Sequence, residues 1–317
     1  MQRIASLVDS SFAYRHGLYG QGINVAVVDS GIARHYDFLQ PYRCPLSGRK
    51  YGGNRLVAAF DAVSGRHMFY DDNGHGTHVA GIIGGYGGSF IGIAPACGLI
   101  SVKVLDANGN GKIENVVRGL EWILENRILY DIRIVNISVG SGSDRKYDED
   151  SILVTKVEEL WDAGMIVLAA AGNNGPEKGS IGAPGISRKI ITVGASDDNI
   201  MCYDRSKGYM RDYSGRGPTP GCVLKPDIVA PGSGVRSCSH RGYNRYTVKS
   251  GTSMSTPVVS GAIALLLSKY TNMNNREVKI RLKNTAIDMG LSHDRQGWGL
   301  INVRALLEGK KDYDKYF

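Results

Sequence analysis

Short apolar runs alternate with segments of helical periodicity along the first two thirds of the chain. Five runs have the composition of buried strands, at residues 24–28, 99–104, 133–139, 165–170 and 189–193. Residues 112–127 and 151–163 repeat apolar side chains at helical spacing, and a helix of small residues is expected from His75. This alternation predicts an α/β fold with a doubly wound, mostly parallel central sheet and helices on both faces.

No internal repeat or low-complexity linker is visible, so we predict one large domain. The chain divides into a polar lead-in, the domain and a charged C-terminal tail, at residues 1–22, 23–308 and 309–317. Within the domain, residues 40–70 are expected to be irregular, and residues 200–250 are expected to form short strands and loops. Two helices are predicted after them, at 252–270 and 275–286.

The composition excludes several classes of protein. The net charge of +8 is scattered, with no basic stripe among aromatic residues, so nucleic-acid binding is not expected. No run approaches the 18 apolar residues of a membrane span. Five cysteines without a C-x-x-C pair predict neither a disulfide framework nor a zinc site. Free thiols and the lack of an apolar signal core favour a cytoplasmic protein, or an exported one if an upstream segment has been removed.

Polar residues follow the predicted strands where a parallel sheet places its binding sites, at the carboxyl ends. Asp29 follows the first strand, Ser138 lies near the end of the third and Asn173 follows the fourth, while His75 begins a helix. Ser253 precedes an apolar helix, where unpaired N–H groups and the helix dipole favour an anion.

Each of these residues also allows a purely structural interpretation. Ser253 and His75 could cap helices, and Asp29 and Asn173 could form turns. His75 and His78 form an H-x-x-H pair, but no third ligand lies near it in the sequence, so no metal is predicted there.

Together the residues match the needs of acyl transfer. A serine hydroxyl needs a base to accept its proton, and histidine has a suitable pKa. A buried carboxylate orients the histidine and stabilises the imidazolium, and an amide donor can hold the oxyanion.

Three segments resemble the catalytic signatures of the subtilisin family of serine proteases, in that family's order. They are Val27-Val28-Asp29-Ser30-Gly31-Ile32, Asn73-Gly74-His75-Gly76-Thr77-His78-Val79-Ala80-Gly81 and Gly251-Thr252-Ser253-Met254-Ser255-Thr256-Pro257. The resemblance covers residues 18–305 and implies the three-layer subtilisin-like fold. It implies a serine endopeptidase in which Asp29 orients His75, His75 is the general base and Ser253 the nucleophile. Asn173 resembles the family's oxyanion donor.

The resemblance also implies the substrate-binding residues. Ser138, Val139 and Gly140 resemble the backbone segment that binds the substrate as an added β-strand. Gly109-Asn110-Gly111 resembles the opposite wall of the binding cleft, and Ile113 lies near the outer subsite. Gly182 resembles the floor of the specificity pocket. A glycine floor predicts large hydrophobic residues before the scissile bond in protein or peptide substrates. No cofactor is expected for catalysis, and the oligomeric state is not indicated.

A structural calcium ion is a further implication that the sequence leaves open. Asp37 stands where one calcium ligand of secreted subtilisins would come from, and it could equally cap a turn. The loop at 84–90 is shorter than the calcium loop of that branch and has no Asn or Asp. Residues 214–220 and 225–232 resemble the intracellular branch instead.

Two other functions remain as alternatives. A catalytically silent relative would only bind peptides. An α/β-hydrolase esterase would carry its serine in G-x-S-x-G, in the order Ser, Asp, His, which this chain does not follow.

Overall fold

The computed structural model describes residues 1–43, 48–51, 53–87, 90–140, 151–204 and 208–310. Its centre is a seven-stranded sheet in which every described pairing is parallel. The strands are β1 (Asn24–Asp29), β2 (Leu56–Asp61), β3 (Gly98–Lys103), β4 (Ile132–Ile137), β5 (Ile166–Ala170), β6 (Ile191–Ala195) and β7 (Ile228–Ala230). Their order across the sheet is β7-β6-β5-β4-β1-β3-β2.

The central strands are mostly apolar because both faces of the sheet are covered. Residues Val25–Val28 of β1 are fully buried, as are Ile134 and Val135 of β4. β1 lies between β3 and β4, and its last residue, Asp29, pairs in register with Lys103. The end of β1 is therefore at the middle of the sheet's carboxyl edge.

Ten helices are described. They are α1 (Gln2–Leu7), α2 (Ser10–Arg15), α3 (Tyr36–Leu39), α4 (His75–Gly84), α5 (Ile113–Asn126), α6 (Ile152–Asp162), α7 (Thr252–Lys269), α8 (Asn275–Thr285), α9 (His293–Gln296) and α10 (Val303–Glu308). α4 and α7 pack against each other and against the sheet, and α5 and α6 form a second packed pair. These two helical layers enclose the sheet, which confirms the predicted doubly wound architecture.

Four short antiparallel hairpins complete the described structure. They pair Tyr42–Arg43 with Lys50–Tyr51, Tyr86–Gly87 with Phe90–Ile91, Cys202–Asp204 with Gly208–Met210, and Val235–Cys238 with Tyr246–Lys249.

Two regions differ from the sequence expectations. Residues 40–70 are not irregular throughout, because they contain the edge strand β2, which pairs with β3. The lead-in forms α1 and α2, and it buries Ile4, Val8 and Ala13 in the main core. The tail predicted at 309–317 lies outside the described residues from position 311 onward. None of the described helices has both the length and the apolar character needed to cross a membrane.

Candidate active site

Asp29 and His75 form a hydrogen-bonded pair at the carboxyl edge of the sheet. The carboxylate is fully buried, and its two oxygens lie 2.8 and 2.9 Å from His75 Nδ1. The Ser30 N–H donates to the same carboxylate at 2.7 Å. This geometry favours the tautomer with the proton on Nδ1, which leaves Nε2 as a proton acceptor.

Gly76 allows α4 to begin directly against the end of β1. A Cβ atom at this position would lie 2.2 Å from the Gly31 carbonyl oxygen and 3.0 Å from the Asp29 Cβ. Any larger residue would push the first turn of α4, and His75 with it, away from Asp29.

Asp71 is a buried carboxylate that the sequence interpretation missed. One of its oxygens accepts hydrogen bonds from the Ser30 hydroxyl at 2.9 Å and the Gly74 N–H at 2.8 Å. The other accepts from the Thr77 N–H at 2.9 Å and hydroxyl at 2.6 Å. Asp71 thus ties the end of β1 to the start of α4. The sequence signal that could have identified Asp71 is its position four residues before His75, together with the threonine two residues after His75.

Lys103 is a second residue that stabilises this edge of the sheet through hydrogen bonds. Its buried ammonium group donates to the carbonyl oxygens of Ser30 and Leu105, at 2.9 and 2.7 Å, and to the Asp72 carboxylate at 2.6 Å. The sequence interpretation placed Lys103 in a strand but gave it no role, because a lysine in an apolar run carries no sign of its partners.

Ser253 lies in the first turn of α7, and its hydroxyl donates to the Ser138 carbonyl oxygen at 2.9 Å. The Ser138 hydroxyl in turn donates to the Ser253 carbonyl oxygen at 3.1 Å. That oxygen is free to accept because Pro257, four residues on, has no N–H to donate within the helix. The two serines are therefore joined in both directions, and the end of β4 is fixed to the start of α7.

Asn173 is held beside the same helix start by Thr252. Its Oδ1 accepts hydrogen bonds from the Thr252 N–H at 2.9 Å and from the hydroxyl at 3.1 Å. Its carbonyl oxygen is thus engaged by the helix, and the amide nitrogen is the group able to donate. Gly251 has φ +140°, and a Cβ there would lie 3.0 Å from this nitrogen, so the close approach favours glycine.

A cleft of about 530 Å³ runs along this edge. Seven predicted site residues line it: His75, Gly109, Gly111, Ile113, Ser138, Val139 and Gly140. The remaining walls are mostly apolar, from Leu105, Val116, Leu120, Ile137, Leu153, Ala183 and Pro184. Asn110 is exposed on the turn that forms one wall and does not line the cleft. Gly182 is buried, is not among the residues that line the cleft, and donates its N–H to the Ala171 carbonyl oxygen at 3.0 Å.

His78 has a packing role in this structure. It is fully buried, and Nε2 lies 3.0 Å from the Val235 carbonyl oxygen. Burial, together with the nearby charges of Lys249 and His75, lowers the pKa of His78 to about 3. His78 is thus a neutral, enclosed imidazole whose Nε2 is engaged by a backbone carbonyl oxygen.

Comparison with known proteins settles the family. The model of the subtilase family matches residues 20–299. The chain belongs to the subtilase family. Serine protease AprX of Bacillus subtilis strain 168 is 39% identical to this subtilase over 316 residues, covering 92% of the chain and 68% of AprX. Subtilisin Savinase of Lederbergia lenta is 37% identical over 302 residues, covering 95% and 96%.

A solved structure supports the same assignment. The crystal structure of a cold adapted subtilisin-like serine proteinase superposes with a TM-score of 0.70 at 28% identity, covering 90% of each chain. The subtilase described here is therefore a serine endopeptidase of the hydrolase class, and its substrates are proteins or peptides.

One group of described side chains is close enough to share a metal ion. His35, Asp37 and Cys238 are buried, and one ligand atom of each lies within 4.8 Å of the others. Calcium binding is common among subtilases, although catalysis needs no cofactor. The resemblance implied Asp37 as a possible calcium ligand. The groups around Asp37 therefore show whether this site is suited to calcium.

Proposed function

We propose that Ser253, His75 and Asp29 carry out peptide-bond hydrolysis through an acyl-enzyme intermediate. The observation that carries the proposal is the hydrogen bond between the buried Asp29 carboxylate and His75, which lines a cleft that Ser138 also lines. Ser253 is hydrogen-bonded to Ser138 and lies at the N-terminus of α7, where developing negative charge is stabilised.

The first step transfers the proton of the Ser253 hydroxyl to His75 Nε2 while the oxygen attacks the substrate carbonyl carbon. The hydroxyl now donates to the Ser138 carbonyl oxygen, so it must turn about its Cα–Cβ bond to reach His75. Catalytic hydrogen bonds are often long or misdirected before substrate binds. Asp29 stabilises the imidazolium, which then gives its proton to the leaving amine. Water repeats the sequence on the acyl-enzyme and releases the acid.

The oxyanion of the tetrahedral intermediate would lie between the Ser253 N–H and the Asn173 amide nitrogen. Replacing Asn173 with aspartate keeps an oxygen to accept from Thr252 but replaces the donor with a second oxygen. We expect kcat to fall by at least about 100- to 1,000-fold, the range for loss of this donor in subtilisin, because the new carboxylate also repels the oxyanion. Steady-state hydrolysis of a chromogenic peptide measures it. An unchanged kcat in folded Asn173→Asp would exclude Asn173 from the oxyanion site.

The apolar cleft supports a preference for large hydrophobic residues before the scissile bond. Ile113 lies at the start of α5 and is half-buried in the cleft wall, so a charge there is tolerated by the fold. We expect Ile113→Asp to lower kcat/KM on apolar peptides about tenfold. Glu114→Gln, next to it and outside the cleft lining, should leave kcat/KM unchanged. A peptide-library profile dominated by Lys or Arg before the cleaved bond would contradict the preference.

The free thiols of this chain favour a location in the reducing cytoplasm. The described cysteines Cys97, Cys202, Cys222 and Cys238 are all free, and two of them are buried. Cell fractionation with an antibody against the chain tests this. Recovery in the culture medium from intact cells would contradict it.

A further inference from the structure

Asp37 carries a carboxylate that is fully enclosed between α3, the Tyr86–Gly87 hairpin and the Val235–Lys249 hairpin. It is 0% exposed. Its oxygens lie 3.0 and 3.2 Å from the Tyr246 hydroxyl, 3.6 Å from the Cys238 sulfur and 3.5 Å from His35 Nδ1. An enclosed negative charge needs a positive partner, because burial without one costs several kcal/mol.

Arg55 is a buried cation that contacts the backbone of Asp37 rather than its carboxylate. It is 3% exposed and comes just before the edge strand β2. Its guanidinium donates to the carbonyl oxygens of Asp37 and Gly84. Its own N–H donates to the Phe38 carbonyl oxygen at 2.9 Å. This one residue thus joins α3, the segment just before β2 and the last residue of α4, the helix that begins with His75.

The surroundings of Asp37 do not fit calcium. Calcium takes about six to eight oxygen ligands, many of them backbone carbonyls. Two backbone carbonyl oxygens at this site, those of Asp37 and Gly84, already accept hydrogen bonds from the Arg55 guanidinium. The groups beside the carboxylate include a thiol and an imidazole nitrogen. The backbone of Gly87 also packs on the carboxylate, since a Cβ there would lie 2.3 Å from Oδ1.

We propose that the Arg55 guanidinium is the built-in cation of the Asp37 site, so that this part of the fold is held together without a divalent ion. The guanidinium supplies what a bound cation would supply: a positive charge on the residue that carries the carboxylate and donors for two converging carbonyl oxygens. It also places that charge at the C-terminus of α4, where the helix dipole favours a cation.

The charges around the site agree with this role. Burial lowers the pKa of Arg55, and Cys97, Asp37 and Cys238 act in the opposite direction. Arg55 brings one positive charge to the surroundings of one buried carboxylate, and a divalent ion would add further positive charge there.

The test uses the full chain carrying Ser253→Ala, so that self-digestion does not obscure unfolding. Thermal unfolding is followed by circular dichroism with a chelator, with added calcium and with neither. Metal content is measured by mass spectrometry of the purified chain. We expect the same Tm in all three conditions and no stoichiometric metal. Arg55→Met should lower the Tm by roughly 10 °C.

Two further variants separate this role from ordinary packing. Adding Asp37→Asn to Arg55→Met removes both charges and should recover part of the lost Tm. Arg236→Met makes the same change on the neighbouring hairpin, where the side chain stacks on Tyr246, and should leave the Tm nearly unchanged. If Arg55→Met does not fold, Arg55→Lys takes its place, with an intermediate Tm expected.

Three results would overturn the proposal. They are a Tm that falls with chelator in the Ser253→Ala chain, one equivalent of calcium or zinc that is lost in a Cys238→Ala or Asp37→Asn variant, and an Arg55→Met chain as stable as its parent. If neither Arg55→Met nor Arg55→Lys folds while the doubly substituted chain does, the charge balance is supported directly.

Discussion

Replacing Ser253 with alanine will abolish peptide-bond hydrolysis while leaving the fold intact. The change removes the attacking oxygen and one hydrogen bond, to the Ser138 carbonyl oxygen. In subtilisin, loss of the serine lowers kcat by about two-million-fold, and the activity left comes from binding and the oxyanion site. We expect a loss of the same order here, measured as the kcat for steady-state hydrolysis of a chromogenic peptide.

A neighbouring serine supplies the control for this substitution. Ser255 is also in α7 and is fully buried, but its hydroxyl makes no hydrogen bond within the described part of the chain. Ser255→Ala should retain hydrolysis. Equal loss of activity in Ser253→Ala and Ser255→Ala, with both folded, would mean that α7 is merely sensitive to change and that Ser253 is not the nucleophile.

Replacing Asp29 with asparagine will lower kcat by about ten-thousand-fold, the loss produced by the same exchange in trypsin. The amide keeps the size of the carboxylate and an oxygen for the Ser30 N–H. Its NH₂ group, however, would donate to His75 Nδ1 and move the imidazole proton to Nε2, which then cannot accept from Ser253. The kcat of purified, folded Asp29→Asn on a peptide substrate measures the effect.

Asp61 offers a matched carboxylate at the same edge of the sheet. It ends β2, pairs in register with Lys103 as Asp29 does, and is fully buried. It accepts hydrogen bonds from Val63, Ser64 and Tyr70 and has no contact with His75. Asp61→Asn should cost stability but retain kcat. A similar drop in kcat in both variants would point to general loosening of the sheet edge.

The sequence predicted the main elements because their patterns are set by burial. Strand β1 and helix α5 lie within two residues of the predicted bounds, since uninterrupted apolar runs and a one-sided helix leave few alternatives. Strand β2 was missed because its Leu56–Asp61 run includes two alanines and an exposed valine, which match neither strand pattern well. β7 has only three residues, and its place is set by pairing with β6.

In the candidate site, too, some residues could be predicted from the sequence and others could not. The residues at its centre lie in motifs with specific neighbours, so Asp29, His75 and Ser253 could be proposed from the sequence. The contacts of Lys103 and Arg55 could not, because most of their partners are far away in the chain. The direction of the Ser253 hydroxyl is a side-chain torsion that no sequence pattern specifies.

Labelling with a fluorophosphonate tests the central claim most directly, because this reagent reacts only with a serine that a neighbouring base activates. The full-length chain is incubated with the reagent, digested and analysed by peptide mass spectrometry, beside His75→Ala and Ser255→Ala chains. We predict one labelled residue, Ser253, with parallel loss of peptide hydrolysis, no label in His75→Ala and normal labelling in Ser255→Ala. A folded chain that stays unlabelled at Ser253, or that is labelled equally without His75, would contradict the account.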